Sequence, residues 1–175
     1  MKFTKIVLGV LFASALFTVT ALGADVTAPT GRDLGQWTLS LGGAGVVTTT
    51  TPSTFNGGAE IDLGHTGDLI LPLEFGVRQG LGYSSGDLWS LNTHVYNDWT
   101  LIKLGSLEFD AGGNVGLYYG NQPLTWTAGP EAVQRLWLLK NVNAFVREEY
   151  AFALNDSGFK AKNALGLALG LQVRF

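Results

Sequence analysis

The last fifteen residues constrain the fold more than any other stretch of the chain. From Ala161 to Phe175 nearly every second residue is large and apolar, and the residues between them are small or polar. Successive side chains of a β-strand point to opposite faces, so this alternation predicts a strand with one apolar and one polar face. Such a strand suits the wall of a barrel with lipid on one side and a polar lumen on the other. The apolar face consists of Leu165, Leu167, Leu169, Leu171, Val173 and Phe175.

The rest of the chain repeats this pattern, and turn residues divide it into further strands. We predict eight strands, at about 36–47, 59–64, 69–83, 88–101, 107–119, 124–139, 142–154 and 161–175. Residues 48–58 are predicted to form a polar loop and residues 65–68 a tight turn. Gly129-Pro130 lacks a donor for the strand ladder, which predicts a bulge or bend there.

Composition favours a membrane environment for these strands. Charged residues make up 14% of the chain, against about 25% in a typical soluble domain, and the mean hydropathy is +0.21. After the N-terminal segment, no apolar run is long enough to cross a bilayer as a helix. Only helices and closed barrels satisfy their backbone groups in lipid. The sequence therefore predicts an all-β, eight-stranded antiparallel up-and-down transmembrane barrel with a polar interior.

The N-terminus indicates export. Lys2 and Lys5 precede an apolar stretch at 6–17, and Ala21 and Gly23 offer small residues at the usual spacing of a cleavage site. We predict a signal peptide at 1–23, a short lead-in at 24–35 and the barrel at 36–175. The alternative is an uncleaved membrane helix, for which the apolar stretch is short. Without the two leader lysines, nine basic residues face 14 acidic ones, and this mild acidity argues against a nucleic-acid partner.

The polar faces of the predicted strands carry charges of both signs. An eight-stranded barrel is just wide enough for side chains to fill it, and buried charges must pair. We therefore predict a salt-bridged, closed lumen. Strict alternation leaves Gln79, Gln134 and one of the neighbours Glu148 and Glu149 on the lipid face, unless a bulge shifts the register. The predicted lumen network comprises Glu60, Asp62, Glu74, Arg78, His94, Glu108, Asp110, Glu131, Arg135, Arg147, Glu149, Lys162 and Arg174.

Aromatic residues cluster near the predicted strand ends. Transmembrane barrels carry a girdle of aromatic side chains at each membrane interface, although aromatic residues favour strands in any setting. We predict Trp37, Trp99 and Trp137 in a periplasmic girdle, and Trp89, Tyr119 and Trp126 in an outer one.

The sequence contains little that points to chemistry. It has no cysteine, which excludes disulfides and thiolate metal sites. His65 and His94 are isolated, although a triad of His94 with Ser90 and Glu74 is an alternative that the unknown register leaves open. We predict no catalytic, cofactor-binding or metal site.

With these features the chain resembles the small eight-stranded bacterial outer-membrane β-barrels, the OmpA-transmembrane-domain and OmpX-like class. The specific part of the resemblance is the terminal strand, with Leu167, Leu169, Leu171 and Val173 before a final Phe175. In that class the barrel-assembly machinery reads this strand. The resemblance implies that machinery as a partner. We further expect outer-membrane lipid as a partner and a monomeric protein of the bacterial outer membrane.

Four functional hypotheses follow. The leading one is a structural outer-membrane barrel with a closed lumen and no enzymatic activity. The polar lumen also allows a narrow channel for water or small solutes. A surface-binding or adhesion protein acting through the polar loop at 48–58 is the third. The fourth, a soluble lipocalin-like carrier, requires an apolar lumen.

Overall fold

The computed structural model describes residues 35–48, 55–84, 88–120, 124–154 and 162–175. They form a closed antiparallel barrel in which each strand pairs with its neighbours in the chain and the first pairs with the last. This confirms the predicted fold class. The strands are β1 (Trp37–Thr48), β2 (Phe55–Leu69), β3 (Leu71–Ser84), β4 (Leu88–Leu104), β5 (Leu107–Gly120), β6 (Thr125–Leu139), β7 (Val142–Leu154) and β8 (Lys162–Arg174).

The predicted signal peptide and nearly all of the lead-in lie outside the described residues. Across the ranges that the structure does describe, no helix has the length and apolarity needed to span a membrane.

Strand β2 is much longer than the sequence predicts. It begins at Phe55, inside the predicted loop, and its far end contains the predicted turn at 65–68. Both predictions are wrong there because β1 and β3 pair with β2 on its two sides and hold the turn-forming residues in an extended conformation. Thr66 lies opposite Glu74 on β3 and its N–H donates to the Gln36 carbonyl at 2.8 Å. The actual turn is at Ile70, with Leu69 opposite Leu71.

The strand pairing shows no bulge at Gly129-Pro130, so the predicted bulge is not found, although neither residue pairs with β7. The pairing of β6 with β5 keeps one register through both residues, and the pairs with β7 on either side of them share one register too. The gap in the ladder between β6 and β7 includes the proline, which has no N–H to donate. The register shifts lie closer to the hairpin turns, between Thr100 and Ile102 on β4 and between Trp137 and Leu139 on β6.

The barrel turns its apolar side chains outward and its polar ones inward. Leu41 is 66% exposed and Val95 62%, whereas Arg78 and His94 are each 2% exposed. A small buried apolar cluster of Val133, Phe145 and Ala168 interrupts the polar interior. The predicted polar interior is therefore confirmed, and the apolar lumen that a lipocalin-like carrier requires is not found in the described part of the barrel.

The two ends of the barrel differ. Three short hairpin turns, at Ile70, at 105–106 and at 140–141, lie at the end that also holds Trp37 and Phe175. We call this the terminal end. There Phe175 and Trp37 exchange two backbone hydrogen bonds of 2.9 and 3.0 Å, which complete the seam between β8 and β1. The connections at the opposite end lie mostly outside the described residues.

Candidate functional site

Arg78 and Arg147 organise the first of two charged clusters inside the barrel. The Arg78 guanidinium donates two hydrogen bonds to the Glu131 carboxylate, at 3.1 and 3.3 Å. Its Nε lies 3.3 Å from Asp62. Arg147 contacts Glu60 at 2.6 Å and Asp62 at 3.4 Å. Asp62 therefore bridges the two arginines and makes one network of them.

This first cluster crosses the full width of the lumen. In a ring of eight strands β3 lies opposite β7, and Arg78 on β3 contacts Glu149 on β7 at 3.7 Å. The Asn114 amide on β5 donates to Glu131 at 2.6 Å. Side-chain contacts at the centre of the barrel thus join strands from several of its sides.

Arg135 organises the second cluster, nearer the terminal end. Its guanidinium makes an ion pair with Asp110 and lies 3.5 Å from Glu74 and 3.6 Å from Glu108. Asp98 is more distant, at 3.9 Å. One cation therefore contacts four carboxylates, and Asp98 Oδ1 and Asp110 Oδ1 accept no hydrogen bond from the described residues.

Neutral side chains donate hydrogen bonds to the oxygens of Glu74. Its carboxylate accepts hydrogen bonds from the Gln172 amide at 2.9 Å, the Tyr96 hydroxyl at 3.0 Å and the Thr38 hydroxyl at 3.2 Å. The donors come from β8, β4 and β1, so Glu74 joins three strands besides its own.

Trp137 closes the lumen at the terminal end. We predict this residue in the lipid-facing girdle, but its side chain points inward. Its side chain is 0% exposed and its indole N–H donates to Glu108 at 3.3 Å. The Arg174 guanidinium lies 4.5 Å from the centre of the Trp137 ring, and Lys103 contacts Glu108 at 3.2 Å. The girdle prediction is wrong for this residue because Trp137 has the same strand parity as Glu131 and Arg135, which point inward.

The other predicted girdle residues lie on the outward face. Trp37, Trp89 and Trp126 are 49%, 44% and 52% exposed, and Trp99 and Tyr119 are half-buried. Trp37 lies at the terminal end, and Trp89 and Trp126 at the opposite end.

The structure brings together most of the predicted lumen network. Twelve of its thirteen side chains are described; Arg174 is half-buried at the rim and the other eleven are buried. Lys162 begins β8, but its side chain lies outside the described part of the structure. His94 makes no ion pair that the structure shows; its Nε2 is 3.5 Å from the Thr127 hydroxyl and its ring packs against Tyr118.

The register separates the residues of the alternative triad. His94 lies opposite Arg78, while Glu74 lies opposite Asp98 and Ser90 opposite Gly82. Glu74 and Ser90 are thus displaced from His94 in opposite directions along the barrel, and the three do not form a triad.

Sequence reasoning missed several members of the network. Alternation from His94 along β4 marks Tyr96 and Asp98 as inward-facing, so parity alone could have found both. Asn114 and Gln172 follow the same rule on β5 and β8. Lys103 lies beyond the register shift on β4, where parity counted from His94 fails.

Little free space remains between the charged side chains. A cavity of about 10 Å³ lies between the two clusters and is bordered by Glu74, Arg78 and Arg135. Another of about 30 Å³ lies beside His94 and Glu60. Volumes of this size hold roughly one or two water molecules each. Within the described ranges, no three His, Cys, Asp or Glu side chains are arranged to hold a metal ion.

A closed eight-stranded barrel with an apolar outside and a charged inside is the architecture of small bacterial outer-membrane β-barrels. The fold is therefore the one that the resemblance predicts. No family model and no curated protein sequence matches the chain.

Three solved structures are similar to it. Neisserial surface protein A matches with a TM-score of 0.66 and 13% identity over 81% of this chain and 99% of that one. A de novo designed barrel, TMB2.3, gives 0.46 and 15%, over 82% of this chain and 98% of its own. A second designed transmembrane barrel gives 0.42 and 17%, over 83% and 100%. At these identities the likeness concerns the fold alone.

Proposed function

We propose that the chain is an integral barrel of a bacterial outer membrane, with a permanently closed lumen, a structural role and no enzymatic activity. The observation that carries this proposal is the set of ion pairs between opposite walls, above all the contact of Arg78 with Glu131 and Glu149. The exposed apolar side chains support contact with lipid, since a water-soluble barrel would turn polar groups outward.

The charged clusters support closure in two ways. They fill the lumen and leave beside them only cavities that hold a few water molecules. They also resist opening, because separating Arg78 from Glu131 breaks an ion pair with two hydrogen bonds in a space that water barely enters. Removing one partner of such a buried pair costs about 3–5 kcal/mol.

Export and assembly form part of the same proposal. The predicted leader at 1–23 supports secretion, and β8 supports recognition by the barrel-assembly machinery. The outward face of β8 is lined with leucines, and Phe175, the residue after it, is 67% exposed at the terminal end. This end, with its short turns, corresponds to the periplasmic side of outer-membrane barrels.

Electrical recording in planar lipid bilayers tests the closed lumen. We expect no conductance steps from the full-length protein, after its fold has been checked by the mobility difference between boiled and unboiled samples. A variant that removes the central pair together with the obstruction at the terminal end, Arg78→Ala/Glu131→Ala/Arg135→Ala/Trp137→Ala, should produce steps once the same mobility check shows that it has folded. Val77→Ala, a change at the neighbouring lipid-facing residue, should not.

Conductance steps from the unchanged protein would overturn closure and favour the narrow channel instead. Full extraction of the folded protein into buffer without detergent would overturn the membrane location.

A further inference from the structure

Two small cavities lie in the half of the lumen away from the terminal end. Each has a volume of about 30 Å³, which holds roughly one or two water molecules. They share several bordering residues, so they are neighbouring chambers of one space, which we call the vestibule. The residues that border both chambers are Ala44, Val46, Glu60, Asn92 and Tyr118.

Glycines on the inner wall leave this space free. A Cβ added at Gly80 would lie 2.5 Å from the Asn92 side-chain oxygen, and one added at Gly166 would lie 2.5 Å from Cγ of Glu149. The side chains of Asn92 and Glu149 therefore lie flat against the neighbouring strand, where a larger residue would push them toward the axis. The walls of the vestibule thus carry polar groups without being filled by them.

Two polar side chains of the vestibule have no hydrogen-bond partner in the described part of the chain. The Tyr118 hydroxyl and the Asn92 amide make no hydrogen bond with any residue that the structure describes, and both side chains are half-buried. Tyr118 packs against His94 through its ring, with the ring centres 5.3 Å apart. Each of the two side chains can therefore offer an oxygen to a molecule in the vestibule.

Glu60 gives the vestibule a negative charge. Among the described residues, it is the only charged one that borders the chamber nearer the opposite end. Its Oε2 lies 2.6 Å from Arg147, which also contacts Asp62 and Glu149. Its Oε1 is buried and accepts no hydrogen bond from a described residue. Glu60 thus has only part of a shared guanidinium to balance it, and its remaining charge attracts a cation across a short, low-dielectric distance.

We propose that the vestibule binds a small primary ammonium ion. An ammonium group has three N–H donors and no acceptor, which matches the free oxygens of Tyr118 and Asn92. Its charge is balanced by Glu60, and the Tyr118 ring adds a face that attracts cations. A metal ion suits the space less well, because no three His, Cys, Asp or Glu side chains of the described ranges are arranged to hold one.

This inference goes beyond the structural role proposed above and leaves the lumen closed. Arg78 and Arg147 border the deeper chamber, and their contacts with Glu131 and Asp62 form the floor beneath it. The bound ion stays above this floor, so the vestibule is a blind site that binds without conducting. Conductance steps would overturn closure and leave binding to be judged by its own measurement.

Solution NMR tests the site with methylammonium as the probe. In the full-length protein, folded in alkyl maltoside micelles, the side-chain amide resonances of Asn92 should shift saturably as methylammonium chloride replaces sodium chloride. Tetramethylammonium is larger and has no N–H donor, so it should cause no saturable shift, and neither should sodium acetate. Absence of a saturable shift with methylammonium, or an equal shift with tetramethylammonium, overturns the proposal.

Two variants test the groups assigned to the site. Tyr118→Phe removes a hydroxyl that has no partner among the described residues, so the fold should persist and methylammonium affinity should fall roughly fivefold. Glu60→Gln removes the charge and should lower the affinity about tenfold. Glu148→Gln, the same change on the outer wall, should leave it unchanged. Unchanged affinity in Tyr118→Phe overturns the site even if Glu60→Gln does not fold.

Lys162 supplies a further control, because it carries an ammonium group of its own at the start of β8. Lys162→Gln should bind methylammonium with the affinity of the parent protein. Binding that occurs only in Lys162→Gln would mean that the lysine occupies the vestibule, and would overturn the proposal of a separate ligand.

Discussion

Arg78 shows what a single side chain contributes to a charged interior. It is 2% exposed and contacts Asp62, Glu131 and Glu149, which come from three strands. Carboxylates that have lost contact with water depend on such a partner, because an isolated buried charge is strongly unfavourable. The guanidinium suits this role because its donors are spread over a planar fork.

Replacing Arg78 by methionine should therefore destabilise the barrel. We expect a loss of about 3–5 kcal/mol in the free energy of unfolding, because the substitution leaves buried carboxylates without their cation. Urea unfolding of the protein in lipid vesicles measures it. The double variant Arg78→Met/Glu131→Met should lose less than Arg78→Met alone, since it also removes a stranded charge. Equal or greater loss in the double variant would contradict this explanation.

At the scale of the element, the hairpin between β2 and β3 contains a strained residue. Ile70 has a φ of 77° and is 98% exposed. A left-handed backbone costs a β-branched residue roughly 1–2 kcal/mol, and no packing of the Ile70 side chain offsets this. Gly105, in the next hairpin turn of the terminal end, also has a positive φ of 60°, but there glycine adopts it freely.

Ile70→Asn should stabilise the barrel by about 1 kcal/mol, because asparagine tolerates the left-handed region better. Gly105→Ala should shift stability in the opposite direction by a similar amount. An added Cβ at Gly105 meets no atom within 4 Å, so backbone conformation is the only change. Thermal unfolding of both variants measures these changes in stability. A loss of stability in Ile70→Asn would show that the turn is not strained.

Strand alternation allowed most elements to be predicted, and the failures lie where alternation carries no information. Residues 65–68 have turn-forming side chains but lie in a ladder, because pairing with β1 and β3 overrides local preference. The girdle prediction for Trp137 rests on residue type alone and is wrong, because the parity of the strand directs this side chain inward. The contacts that cross the lumen, such as Arg78 to Glu149, depend on how far the strands are staggered around the barrel. That stagger is set when all eight strands close into a ring, so the sequence of one strand does not determine it.

At the scale of the whole molecule, closure depends on the seam between β1 and β8. The eight strands form one ring, so no edge strand is left unpaired, and the last two hydrogen bonds of the seam join Phe175 to Trp37. The backbone of Phe175 thus serves the folded barrel, while its exposed ring is available to other molecules.

Two changes at Phe175 should separate these roles. Deleting the residue should lower the unfolding free energy by about 1–3 kcal/mol, the net value of two hydrogen bonds. Phe175→Ala keeps both bonds and should unfold like the parent protein in vesicles. In cells, Phe175→Ala should reduce the amount of assembled barrel, if the ring forms part of the proposed assembly signal. Normal assembly of that variant would remove the ring from the signal.

The composition of the interior has a consequence for electrostatics at longer range. Within the described residues, eight buried carboxylates face the three buried arginines, and Lys103 and Arg174 add two cations at the rim. The formal balance is negative, and low-dielectric walls concentrate the resulting potential along the axis. An anion such as chloride or phosphate should therefore meet an electrostatic barrier in the interior in addition to the steric obstruction.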